Sequence, residues 1–181
     1  MRRVDGRLVL SATDLTKHVA CPHVTTLDLA DLDPAPTLLA PQPKAPDDAL
    51  ALVFAKGLAH ERAYLEELRA QGRDIVTIDG FGAQAAAQTL AAMRSGADVI
   101  YQACLADGSW LGYADFLLRV DLTGGEQSAL GGWRYDIADT KLARRLTVAA
   151  LLQMATYAQG LTRAQGVSPE RLVVVTGDGE P

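Results

Sequence analysis

Cysteine is scarce in this chain: Cys21 and Cys104 are the only two among 181 residues. Their surroundings do not match, which argues against a disulfide-stapled secreted scaffold, so both are expected as thiols or ligands. Long apolar runs are missing as well. None reaches the roughly 18–20 residues that cross a bilayer. Met1-Arg2-Arg3-Val4-Asp5 opens onto a mixed, strand-like segment where a signal peptide would carry an apolar stretch. No membrane partner is therefore expected, and the expected location is the cytoplasm. Nor is there an excess of positive charge. The formal net charge is -5 and the pI about 5.1, so nucleic-acid binding would have to come from a local basic patch. No internal repeat is found.

What is present fits one globular domain over residues 1–181. Hydrophobic residues make up 49% and charged residues 22%, close to the average for folded proteins, and the length suits one core better than two. Residues 7–10 read as a short strand, and Ser11-Ala-Thr-Asp14 as a capping box opening a helix that restarts at Pro22. Five prolines in residues 33–46 mark a surface loop. Residues 1–46 are thus expected as an N-terminal helical segment with a Pro-rich loop, and 47–181 as the core.

Within the core, Leu50, Val53, Phe54, Leu58, Tyr64, Leu65 and Leu68 recur at helical spacing over 47–71, and Gly72 stands at the C-terminal cap position. The spacing predicts a long amphipathic helix. A short strand over 75–78 and an Ala-rich helix over 83–93 follow. Residues 99–105, 110–120 and 133–141 are rich in β-branched and aromatic side chains, separated by Asp107-Gly108 and by a Gly-rich loop over 124–132. They read as an antiparallel meander. A helix over 146–164 and a strand over 171–176, after Ser168-Pro169, close the order.

The chemistry concentrates in the meander. Side chains alternate faces along a strand, so Asp115 shares a side with Tyr113 and Leu117, and Ile137, Asp139 and Lys141 share another, the last two roughly 6–7 Å apart. Pairing of these strands would bring Asp115 and Asp139 together. Two carboxylates in one desolvated place repel unless one stays protonated or a cation lies between them, and oxygen ligands suit Mg²⁺ or Mn²⁺. The backbone carbonyl of Thr140 would add an oxygen, and Lys141 would orient a water or neutralise charge on a phosphate. The bland alternative is a surface ion pair of Asp139 with Lys141, and Asp115 as a loop cap.

Taken in order, Gly112-Tyr-Ala-Asp115, Asp139-Thr-Lys141 and Gln153-Met-Ala-Thr-Tyr157, with Gly57-Leu-Ala-His60-Glu61 upstream, resemble the successive motifs of RecB-type nucleases in the PD-(D/E)xK superfamily. Ser11-Ala-Thr-Asp-Leu15 with Cys21-Pro22, and Val99-Ile-Tyr-Gln102, look more narrowly like the RecB-like nucleases found fused to a helicase. The resemblance spans residues 11–177. It implies an α/β restriction-endonuclease-like core, a mixed sheet flanked by helices, with an N-terminal helical extension.

By the same resemblance His60 would be the imidazole ligand of a Mg²⁺ or Mn²⁺ ion, Asp115 the bridging carboxylate, Asp139 the second carboxylate and Lys141 the catalytic lysine. Glu61 is not counted, because adjacent helix positions point in different directions. Gln153 and Tyr157, four residues apart, would position the DNA strand or the lysine. Arg144 and Arg145, grouped with Arg134 as the densest basic cluster of the second half, would contact phosphates or form a solvated helix start.

Several members of this branch carry an iron–sulfur cluster held by one early and three late cysteines, and Cys21 matches the early position. The late ones would lie beyond Pro181, the domain being expected to be incomplete at its C-terminus. A zinc site from His18, Cys21 and His23 is the rival, short of a fourth ligand; Cys104 is expected as a buried thiol. The expected activity is metal-dependent hydrolysis of DNA phosphodiester bonds, on single strands or ends, within a helicase-nuclease of repair or recombination. The rivals are a catalytically idle DNA-binding or scaffolding module of such a machine and a plain α/β interaction domain.

Overall fold

The structure, a computed structural model, describes residues 1–4, 6–32, 48–143 and 145–177. In chain order it has β1 (Arg2–Val4), β2 (Arg7–Val9), α1 (Ala12–Ala20), α2 (Pro22–Ala30), α3 (Asp48–Ala70), β3 (Ile75–Thr77), α4 (Gly82–Ser95), β4 (Val99–Asp107), β5 (Trp110–Asp121), β6 (Trp133–Lys141), α5 (Val148–Gln165) and β7 (Leu172–Thr176). The Pro-rich stretch 33–46 lies outside the described residues.

Local chemistry accounts for several boundaries. The Asp14 carboxylate takes the Ser11 N–H at 2.7 Å and the Ser11 hydroxyl at 2.8 Å, tying down the first turn of α1. Pro22 opens α2 at the position where a missing N–H costs no helical bond. Thr147 caps α5, its hydroxyl accepting the Ala150 N–H at 3.2 Å. Gly108, with φ of 56°, turns the chain between the paired ends Asp107 and Trp110 of β4 and β5.

β1 and β2 form a small antiparallel pair, and the other strands form one mixed sheet in the order β3-β4-β5-β6-β7. β4, β5 and β6 are the antiparallel meander, whereas β3 runs parallel to β4 and β7 parallel to β6. Each parallel step is bridged by a helix, α4 before β4 and α5 before β7. The protein is therefore an α/β fold whose sheet is flanked by helices.

Adjacent strand residues point to opposite faces, and both faces are covered. On one, Met93 of α4 and Met154 and Leu161 of α5 pack with Ile100, Leu117 and Ile137. On the other, Leu65 and Leu68 of α3 pack with Val99, Phe116 and Ala138. The reading of α3 as amphipathic throughout needs a correction. Only Glu61, Leu65 and Leu68 are buried along it, and Val53, Phe54 and Leu58 stay exposed. Periodicity tells which residues share a face, not whether another element packs on it. Among the described residues no helix is long and apolar enough to cross a membrane.

Candidate functional site

The register of the meander sets three polar residues in one row across the sheet. Tyr101↔Phe116 and Ala103↔Ala114 flank a gap in which Gln102 faces Asp115, and Phe116↔Ala138 leaves Asp115 facing Asp139. Asp139 pairs onward with Val174 of β7. The two carboxylates expected to meet are therefore brought opposite one another at the point where the ladder between β5 and β6 ends.

Each carboxylate has its own restraint. One oxygen of Asp115 accepts the Thr140 backbone N–H at 2.8 Å and the Thr140 hydroxyl at 2.9 Å. Thr140 thus acts through its donors as well as its position. Asp139 is fully buried, and the Lys141 ammonium lies 2.5 Å from its Oδ2 as an ion pair. Oδ2 is thus held by Lys141, whereas Oδ1 is buried with no hydrogen-bond donor. Burial above all, and then the Asp115 charge, push the Asp139 carboxyl up to about 6 despite Lys141, and Glu61 adds to the rise. A buried carboxylate oxygen without a donor is costly, and a bound cation would offset that cost.

Gln153 and Tyr157 meet as their spacing predicts, the Gln153 amide donating to the Tyr157 hydroxyl at 2.8 Å. Burial takes that hydroxyl up to about 12, with Asp139 and Asp115 adding to the shift. The Tyr157 ring lies flat enough on β5 that a Cβ at Gly112 would stand 2.5 Å from its Cε1. The glycine of the Gly112-Tyr-Ala-Asp115 motif is there for that close approach.

The other expected residues are placed differently. His60 sits on α3, but its Nε2 donates to the Val175 carbonyl at 3.0 Å, so in this structure the imidazole is engaged by β7. Arg145 is exposed and lines a cavity of about 180 Å³ together with Lys141, Thr147 and Gln153. Arg144 lies outside the described residues. Arg134 does not join that cluster: it is near the start of β6, paired with Glu170 and 3.5 Å from Asp136, seven residues from Lys141 at the strand's other end.

Cys21 is an exposed free thiol between α1 and α2, and Cys104 a buried one. His18 uses its Nδ1 on the Thr25 hydroxyl at 2.9 Å. Among the described residues no three His, Cys, Asp or Glu side chains are already gathered around a cation position.

Sequence reasoning set Glu61 aside and gave Tyr101 and Gln102 no role of their own in the site. Glu61 is 9% exposed and accepts a hydrogen bond from the Gln102 amide. Burial, followed by hydrogen bonding and charge from Glu61, takes the Tyr101 hydroxyl up to about 12. The signal for Glu61 was available: it stands four and seven residues before Leu65 and Leu68, on the stripe that faces the sheet.

No family model, no curated protein and no solved structure matches this chain. The chemistry of the site itself is what bears on its function.

Proposed function

We propose that the chain is a metal-dependent DNA nuclease with a restriction-endonuclease-like core, resembling the RecB-like members of the PD-(D/E)xK superfamily. One observation carries the reading: Asp139 is fully buried opposite Asp115, its Oδ1 lacks a donor, and Lys141 pairs with its Oδ2. Further support comes from motif order, since the glycine-aspartate strand, the aspartate-threonine-lysine strand and the glutamine-tyrosine helix are β5, β6 and α5.

The donor set fits Mg²⁺ or Mn²⁺, hard cations that take carboxylate oxygens. Asp115 and Asp139 would hold the ion, with the Thr140 carbonyl as a further oxygen. Once bound, the ion supplies Lewis acidity toward the phosphodiester and toward the attacking water. Thr140 keeps Asp115 oriented through two donors to one oxygen, leaving the other for the ion. Lys141 provides a positive charge at the site for the phosphate. Gln153 and Tyr157, joined by a hydrogen bond on α5, would position the strand or the lysine, and Arg145 offers a phosphate contact across the neighbouring cavity. With a net charge of -5, the chain has little general attraction for DNA, which favours delivery of the strand by a fused or associated helicase.

The test is cleavage of labelled single- and double-stranded DNA with Mn²⁺, Mg²⁺ or EDTA by the wild type and by Asp139→Ala. Cutting that needs the metal and disappears in the variant is the expected result. A folded protein that binds Mn²⁺ and DNA yet never cuts would favour the scaffolding role.

A further inference from the structure

We propose that helix α1 is part of the strand-binding surface, Thr13 of α1 and Arg145 before α5 together holding one phosphate of a single-stranded DNA beside Lys141. The inference rests on the nuclease reading and extends the path of the strand from α5 to the N-terminal segment.

The cavity of about 180 Å³ beside Lys141 is lined from both segments, by Thr13 and Thr16 of α1 and by Lys141, Arg145, Thr147 and Gln153. Its lining carries two cations and no carboxylate, a composition that suits an anion. Most of its polar side chains are engaged within the fold. Lys141 pairs with Asp139, the Thr16 hydroxyl donates to the Thr13 carbonyl at 2.9 Å, the Thr147 hydroxyl accepts the Ala150 N–H, and the Gln153 amide donates to Tyr157. Two are not. Among the described residues the exposed Arg145 forms no ion pair, and the hydroxyl of the exposed Thr13 has no hydrogen-bond partner. A guanidinium grips a phosphate through two parallel N–H donors, and a hydroxyl adds a third donor.

A nucleotide differs from a free anion in having apolar surface next to its charge, and the site offers a match for that as well. Thr13 also lines a second cavity, of about 300 Å³, together with Leu10, Leu111, Gly112, Tyr113 and Tyr157. The one carboxylate in that lining, Asp14, is engaged by the Ser11 N–H and hydroxyl and by the Met1 amine. Gln153 of the first cavity is bonded to Tyr157 of the second, so the two cavities meet along Thr13 and this pair. A cationic pocket adjoining an apolar and aromatic one fits a phosphate with its neighbouring sugar and base.

The experiment is fluorescence anisotropy of a labelled single-stranded oligonucleotide with the whole chain, in EDTA so that nothing is cut, over a range of salt concentrations. The variants are Thr13→Val, Thr13→Ser, Arg145→Gln and, to control for charge at a distance, Arg73→Gln, each first checked for an unchanged melt. Arg145→Gln is expected to weaken binding about fivefold or more and to flatten the slope of log affinity against log salt by about 0.7, the value for one phosphate contact on a single strand. Thr13→Val should weaken it about threefold or more with the slope unchanged, Thr13→Ser should restore it, and Arg73→Gln should stay within about twofold. Strands with a 5′-phosphate and with a 5′-hydroxyl separate two sources of phosphate. Loss on both assigns the contact to an interior phosphodiester, loss on the first alone to the terminal phosphate, and either supports the site. Equal weakening by Arg145→Gln and Arg73→Gln, full affinity in Thr13→Val, or a wild type that binds no strand would overturn the inference. The nuclease reading is judged apart, by cutting with Mn²⁺. A chain that cuts while these variants bind like the wild type loses only the strand path, whereas binding that depends on Thr13 and Arg145 without cutting by the folded, Mn²⁺-loaded protein counts against the nuclease reading alone.

Discussion

Thr140 gives both of its donors to one oxygen of Asp115, the backbone N–H at 2.8 Å and the hydroxyl at 2.9 Å. The backbone bond survives any substitution, so only the hydroxyl can be tested. Thr140→Val keeps the shape and removes about 1 kcal/mol of stability, read by urea denaturation, because a hydrogen bond to a charged but partly exposed group is worth about that much. Thr140→Ser retains most of it. A loss in Ser with none in Val would mean that methyl packing, not the hydroxyl, matters here.

Asp139 makes stability depend on pH. Its carboxyl rises from 3.8 to about 6 in the fold, mainly through burial. The folded state then binds the proton more tightly than the unfolded chain, so the contribution of this group is greatest below pH about 4, falls as pH rises to about 6, and is level beyond. Asp139→Asn removes the slope. Between pH 4.5 and 7 it should gain on the wild type by about 2 kcal/mol in denaturation midpoints converted to free energy. The Lys141 ion pair forms only with the ionised carboxyl, and its effect is already contained in the shift. Parallel pH curves for the two proteins would show that the carboxyl is not perturbed.

Gly112 and Tyr157 are coupled by contact. A Cβ at Gly112 meets the Tyr157 ring at 2.5 Å, and the ring is buried. Gly112→Ala should therefore cost about 1–3 kcal/mol. In a background of Tyr157→Leu the same change should cost about 1 kcal/mol less, the signature of a shared contact in a double-mutant cycle. Additive costs would place the strain in the β5 backbone instead.

Gln102 reverses an ordinary order. In most strands glycine is less stable than alanine, by about 0.5–1 kcal/mol. At φ of 58° the left-handed backbone penalises the Cβ, so Gln102→Gly should be more stable than Gln102→Ala by about 1 kcal/mol, both having lost the amide to Glu61. Thermal melts of the two variants at one pH decide it. Alanine above glycine would mean that the strand has regular backbone at this position.

Much of this architecture was legible in the residues. The meander showed in its β-branched runs and in Asp107-Gly108, α1 in its Ser11 and Asp14 box, and the approach of Asp115 and Asp139 in strand alternation combined with the pairing of the two strands. The row across the sheet was half visible: alternation located Asp115 and Asp139, but nothing local reveals that Gln102 takes a left-handed backbone, a choice imposed by neighbours on β5 and α3. The contact that His60 makes was hidden for a similar reason. Its partner, the Val175 carbonyl, is 115 residues away, and a motif position says which helix carries a histidine without saying which strand receives it. Glu61 shows the opposite case. Its place on the stripe of Leu65 and Leu68 outweighs the argument that neighbours on a helix diverge, since divergence from His60 is what turns it toward the sheet.

The central claim, that Lys141 and the carboxylate pair form a hydrolytic centre and not a structural ion pair, is tested most directly by single-turnover cleavage of labelled single-stranded DNA with Mn²⁺, comparing the wild type with Lys141→Ala under conditions where both bind Mn²⁺. The account predicts cutting by the wild type and a loss of about 100-fold or more in the variant, the scale expected when a charge placed for the transition state is removed. Equal rates in the two proteins, or no cutting by a folded, Mn²⁺-loaded wild type, would contradict it.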